Sequence, residues 1–268
     1  MKLNKLGLDK KAMGSVALPT QFTEELRPEI IKRAVEVLQH NQRQPYGAQL
    51  DAGRRQSGKL SRRRRDYKGS YGHGISRVPR KSLTKRGTRF YWVGAVAPGT
   101  VKGRRAHPPK TTTIREHKIN KKENRKAIRS AMSATVVKDL VTKRGHFVPT
   151  EYPFVVDSAI EQVDKTNDIF DVLMKLGFEE ELERGATKKV RAGRGKMRGR
   201  KYKRKKSVLI VVSDNCKLLM SGSNIPGVDV VKVTELNAEM LAPGAIPGRA
   251  TLWSEKALEK ITKEHLFV

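Results

Sequence analysis

The chain has 268 residues, with 57 Lys and Arg against 27 Asp and Glu, and a formal net charge of +30. Its one cysteine, Cys216, excludes an intrachain disulfide framework and any CxxC metal site. No apolar run approaches the ~18 residues a membrane helix needs, and Met1–Pro19 has no apolar stretch of the signal-peptide kind, so neither a leader nor an anchor is expected there.

Gly14–Pro19 is a short apolar run that predicts a first strand. Pro28 opens a helix at a position where its missing N–H costs nothing. Ile30, Ile31, Ala34, Val35 and Leu38 recur at helical spacing to near His40, and Asn41 with the Gln44–Gly47 turn stops it. Next comes the segment Arg43–Lys110, with 19 Lys and Arg, ten glycines and only two acids, Asp51 and Asp66. It holds the quartet Arg62, Arg63, Arg64 and Arg65 and shows neither a helical nor an alternating apolar period. Its one apolar patch, Phe90–Ala97, reads either as a strand or hairpin packed on itself or as aromatics offered to bases.

Asn120 predicts the cap of a second helix, with Glu123 in capping-box spacing. Ala127, Ile128, Ala131, Met132, Thr135, Val136 and Leu140 form its apolar face, and Gly145 its stop. Phe154–Asp157 predicts a buried strand and Asn167–Leu176 a helix. A second basic segment, Arg184–Lys206, has 13 basic residues, four glycines and no acid. Val208–Val212 and Val228–Val233 read as buried strands, Thr234 as the cap of a short helix to Leu241, Thr251–Trp253 as a last strand, and Ser254 as the cap of a helix to about Glu264.

Strands alternating with helices predict an α/β fold, a single three-layer domain around a mainly parallel sheet with two long basic RNA-binding extensions. The body comprises residues 1–42, 111–183 and 207–268; residues 43–110 are an extended basic loop inserted in it, and 184–206 a second Gly/Arg/Lys-rich loop. Outside the two basic segments, 177 residues carry 25 charges of each sign, so the whole excess lies in the segments. Charge so concentrated calls for a polyanion, nucleic acid ahead of an anionic membrane surface.

Enzyme motifs do not complete themselves. Gly53–Lys59 follows a phosphate-loop pattern, but Leu60 stands where the magnesium-holding hydroxyl belongs. Gly193–Gly199 resembles a dinucleotide fingerprint with its last glycine one place late. The six histidines are scattered. Asp157-Ser158 and Ser213-Asp214 close strands without a matched base and serve equally as caps. No catalysis, cofactor, metal, small-molecule substrate or membrane is expected. An RNA-processing enzyme would need more at those strand ends; a DNA-condensing protein would differ in preferring duplex DNA.

Arginine forks grip phosphate bidentately and stack on bases, and interleaved glycines let backbone approach folded RNA. The candidate RNA contacts are Arg43, Arg54, Arg55, Lys59, Arg62, Arg63, Arg64, Arg65, Lys68, Tyr71, His73, Arg77, Arg80, Lys81, Lys85, Arg86, Arg104, Arg105, His107 and Lys110. In the second segment they are Arg191, Arg194, Lys196, Arg198, Arg200, Lys201 and Tyr202.

Several strings carry a family likeness: Asn41–Gly47, Gly72–Arg80, Gly103–Lys110 with its His-Pro-Pro-Lys, Arg191–Tyr202, Asn224–Asp229 and Leu252–Leu258. In order and over nearly the whole chain, they resemble the universal large-subunit ribosomal protein four family, archaeal branch. That resemblance implies a cytoplasmic ribosomal component that binds large-subunit ribosomal RNA, joins the subunit early in assembly and adjoins other ribosomal proteins. It also implies that the long loop lines the polypeptide exit tunnel beside the nascent polypeptide. An insertion of 68 residues must turn near its middle, around residue 76. The tunnel-proximal candidates are therefore Gly72, Gly74, Arg77, Arg80, Ser82 and Gly87.

Overall fold

The computed structural model describes all 268 residues, and it begins with an antiparallel pair, β1 (Lys2–Leu6) and β2 (Ala12–Ala17). Helix α1 (Pro28–Asn41) follows, with Pro28 in its first turn and Ile31, Ala34 and Val35 on its buried face. Within the long basic segment lies a hairpin, β3 (Arg80–Arg86) and β4 (Arg89–Gly94). Then come α2 (Lys121–Val136), α3 (Lys138–Lys143), β5 (Phe154–Val156), α4 (Thr166–Lys175) and α5 (Glu179–Ala186). The second basic segment forms β6 (Lys188–Val190) and β7 (Tyr202–Arg204) around a 3-10 turn at Gly193–Arg198. The chain ends with β8 (Leu209–Val212), α6 (Leu218–Ser223), β9 (Asp229–Lys232), α7 (Ala238–Leu241), β10 (Thr251–Ser254) and α8 (Glu255–Lys263).

Two compact units result: Met1–Gln42 with Glu116–Val268, and Arg43–Arg115. The first is built on a six-stranded sheet in the order β2-β1-β5-β10-β8-β9, parallel throughout except for β1 against β2. Alternation along the strands splits its core in two. Leu3, Val155, Leu209, Val211 and Trp253 meet α1, α2, α7 and α8 on one face. Leu6, Phe154, Val156, Ile210, Val212 and Leu252 meet α4, α5 and α6 on the other. This is the expected α/β sandwich: strands with side chains on both faces covered need continuous aliphatic sequence, which β8 supplies.

Three local expectations change. Strand β1 was not anticipated, because plain alternation sends Leu3 to one core and Leu6 to the other and leaves it one buried apolar residue per face, with no apolar run to read. Asn120 makes no side-chain cap, and Glu123, drawn into the capping box by spacing, lies 3.0 Å from Arg33 instead. The short helix to Leu241 is capped by Asn237, which accepts from the Met240 N–H, rather than by Thr234. The cap of α8 is as expected: Ser254 Oγ accepts from the Ala257 N–H at 3.1 Å.

Candidate nucleic-acid interface

The long segment leaves α1 and returns before α2 through a narrow gate within the first unit. Asn41 Nδ2 donates to the His117 carbonyl at 3.0 Å, and the His117 N–H donates to Asn41 Oδ1 at 2.9 Å. The His40 and His117 rings meet edge-on with centroids 4.0 Å apart.

Inside Arg43–Arg115, the outgoing and returning limbs run side by side. The Ala48 N–H donates to the Pro109 carbonyl, and Gln56 Nε2 to that of Lys102. Backbones touch at Gly53, where a Cβ would come within 2.4 Å of the Arg104 nitrogen and φ is +78°, so only glycine fits. Gly53 therefore serves limb packing, and no strand precedes it as a phosphate loop requires. A cleft of about 810 Å³ between the limbs is lined by Arg54, Arg55, Arg104, Arg105 and Lys110, with Asp51 as its one acid.

Beyond Lys59, which bridges to Arg80, the segment turns at Tyr71–Gly74, close to the mid-point expected from its length, and again at the hairpin loop Gly87-Thr88. Gly72, Gly74 and Gly87 have φ of +76°, +63° and +55°, and a Cβ at any of them would meet nothing. Gly87 is the first residue of a two-residue hairpin loop, where positive φ suits the twist of the paired strands.

Of the two readings of Phe90–Ala97, the structure shows the hairpin packed on itself. Phe90 and Trp92 are half-buried and pack edge-on at 5.1 Å, with Tyr67 5.7 Å from Phe90. Lys68 lies 5.2 Å over Phe90, and the Arg80 guanidinium 5.3 Å over Trp92. Ala95 is fully buried behind them. The stretch that composition left without periodicity thus holds a small aromatic cluster closed by cations. Tyr71 is likewise covered by Arg77 at 4.5 Å, and Tyr46 by Arg115 at 3.6 Å. Tyr91 faces the other way and is exposed.

Of the residues singled out from sequence, Arg43, Arg54, Arg55, Lys59, Arg62 to Arg65, His73, Arg77, Ser82, Lys85, Arg86, Arg105, His107 and Lys110 are exposed. Lys68, Tyr71, Arg80, Lys81 and Arg104 are half-buried in the packing described. Lys68 Nζ donates to Ser82 Oγ at 3.1 Å, and Lys81 Nζ to Gln56 at 2.8 Å. The one ion pair in the segment is Lys59–Asp66, at 4.0 Å.

The second basic segment is a ribbon of cations. Lys188 faces Arg204 and Lys189 faces Lys203 across β6 and β7, an arrangement that destabilises an isolated hairpin. Arg194, Lys196, Arg198, Arg200 and Lys201 are exposed, Arg191 is half-buried, and Tyr202 lies 4.8 Å beneath Lys188. Gly199 turns the loop at φ +80°. The Gly193–Gly199 run, weighed as a dinucleotide fingerprint, is this turn.

Sequence reasoning missed what holds the ribbon's base. Glu181 on α5 is completely buried and meets three groups: Arg184 Nε at 2.7 Å, His146 Nδ1 at 2.8 Å and the Phe147 N–H at 3.0 Å. Burial alone would raise its pKa; the bonds from Arg184 and His146 overcome that and bring the carboxyl down to about 2. Arg184 also donates to the Lys206 carbonyl at 2.7 Å, and buried Arg249 to that of Ser207 at 2.9 Å and to Asp229 at 2.6 Å. Gly185 and Gly227 let the chains close there: a Cβ on Gly185 would sit 2.8 Å from the Pro226 carbonyl oxygen, and one on Gly227 2.7 Å from that of Lys205. The polar spacing Glu181-x-x-Arg184 was the one available signal.

The strand ends weighed as catalytic are occupied structurally. Asp157 pairs with Lys5 at 2.8 Å and accepts from the Ala159 N–H. Ser213 and Ser254 donate to Glu161 at 2.8 and 2.6 Å, and Asp214 pairs with Lys260. No three His, Cys, Asp or Glu side chains are grouped as metal ligands would be, and no helix is long and apolar enough to cross a membrane.

Comparison with known proteins adds a family. Residues 16–264 match the profile described as the ribosomal protein L4/L1 family. The chain is similar over its full length to the large ribosomal subunit protein uL4 of Nanoarchaeum equitans (strain Kin4-M), at 48% identity with 100% of both chains covered. It is similar at 45% to the protein of that name from Methanococcoides burtonii, with 95% of each chain covered, and at 44% to that of Archaeoglobus fulgidus, with 97% of each.

Proposed function

The chain belongs to the ribosomal protein L4/L1 family, a family of structural and not enzymatic proteins, and from that premise we propose how its two basic segments serve the large ribosomal subunit. As a ribosomal component it works in the cytoplasm. Both segments bind large-subunit ribosomal RNA. The carrying observation is the absence of acidic partners: one ion pair among the cations of the long segment, and like charges facing across the short ribbon. Such surfaces reach their lowest energy against phosphate. The cleft lined by Arg54, Arg55, Arg104, Arg105 and Lys110 fits a backbone strand, and the Arg62–Arg65 quartet adds exposed forks beside it in sequence.

The family resemblance extends the proposal. The body rests at the subunit surface beside neighbouring ribosomal proteins, the protein binds early in assembly, and Gly72–Gly87 reaches the exit tunnel and the nascent polypeptide. The two open glycine turns suit a segment that must fit a confined passage.

Two experiments test these readings. At matched salt, the purified chain should bind deproteinised large-subunit RNA more tightly than duplex DNA; equal or reversed preference would remove the RNA reading. Photocrosslinking from a probe at Ser82 in assembled subunits should reach tunnel RNA or nascent peptide. Crosslinks confined to surface RNA would rule out the tunnel placement and leave RNA binding intact.

A further inference from the structure

The six tyrosine rings of this chain are not equivalent. Tyr46 lies under Arg115, Tyr71 under Arg77, and Tyr202 under Lys188 and Lys201. Tyr67 packs on Phe90, and Tyr152 on Phe154. Tyr91 alone has neither an aromatic nor a cationic partner, and it is 61% exposed. Its place on β4 explains why. Strand alternation turns Phe90 and Trp92 into the aromatic cluster and Tyr91 with Val93 to the opposite face. The charged residues on that face are all cations: Arg86 and Arg89 are cross-strand partners at the hairpin end and Lys81 faces Val93, while Thr84 faces Tyr91 itself. Arg80–Gly94 contains no carboxylate.

A flat ring bared beside two arginines that repel each other suits a ligand with a π-face and phosphates on either side. We propose that Tyr91 is a stacking platform for one unpaired nucleobase of the RNA, with Arg86 and Arg89 holding the flanking phosphates. This rests on the RNA-binding reading and adds that this face takes single-stranded or looped RNA rather than duplex, because a paired base has no free face to offer.

The test uses the full chain and deproteinised large-subunit RNA. Zero-length ultraviolet crosslinking followed by mass spectrometry should find a nucleotide joined to Tyr91. Tyr91→Leu should lose that adduct and bind roughly tenfold more weakly at an unchanged salt slope, as expected for one lost base stack; Tyr91→Phe should restore affinity. Arg86→Gln with Arg89→Gln should instead flatten the slope. If the chain binds with a normal slope but Tyr91→Leu binds as tightly as wild type, the platform is refuted and the RNA reading stands. If wild type shows no salt-dependent binding to this RNA, both fall.

Discussion

Glu181 shows how one buried residue sets the geometry at the base of a basic segment. A carboxylate with no exposure is tolerable only with its lone pairs filled, and Arg184, His146 and the Phe147 N–H fill them. Glu181→Gln leaves Arg184 and the Lys206 carbonyl it grips without their anchor, and should cost on the order of 3 kcal/mol, read from urea denaturation. Acid acts in the same direction. Burial lowers the His146 pKa despite the help of Glu181, so below the ordinary imidazole value of 6.5 the unfolded chain takes up its proton first. Glu181 is held down to about 2 from 4.5, so its contribution is complete above 4.5 and is lost as pH falls toward 2. Stability should therefore fall from about pH 6.5 downward, first through His146 and then through Glu181. A denaturation midpoint that stayed level between neutral pH and about pH 4 would refute this. Gly185→Ala tests the same base sterically: its Cβ would press on backbone of Pro226 and should lower the melting temperature.

At the scale of elements, the short ribbon sets folding against function. Replacing Lys189 by Glu opposite Lys203 turns a repulsive cross-strand pair into an attractive one, worth about 0.2–1 kcal/mol to the hairpin. The same change should weaken RNA binding and reduce its salt dependence; tighter binding would contradict the assignment of this ribbon. The elements also differ in how far they could be read from sequence. Strands β5, β8, β9 and β10 and helices α1, α4 and α8 were visible because each carries its own apolar run or stripe. Helix α5 was not: Glu179–Ala186 buries only Glu181, Leu182 and Gly185, so its burial leaves little apolar signature. Helix α2 was drawn too long, since Val137 takes an extended conformation and separates α3. In the interface, charge and glycine content exposed the two segments at once. Residue pairs such as Arg80 with Trp92 and Glu181 with His146 stayed hidden, because only tertiary folding brings them together.

For the whole molecule, a charge of +30 confined to two segments separates the work of folding from the binding proposed for those segments. The six-stranded sheet and its two cores need none of the Arg62–Arg65 quartet or the β6–β7 cations. Replacing the quartet by alanine should leave the melting temperature of the first unit unchanged while weakening RNA binding. The most direct measurement is the salt dependence of full-chain binding to deproteinised large-subunit RNA, for wild type and for a variant with Arg62, Arg63, Arg64 and Arg65 replaced by alanine. The account predicts a steep fall of log K with log salt for wild type, about −0.7 to −0.9 per phosphate neutralised, and a clearly shallower one for the variant. Equal slopes, or a shallow slope in wild type, would contradict it.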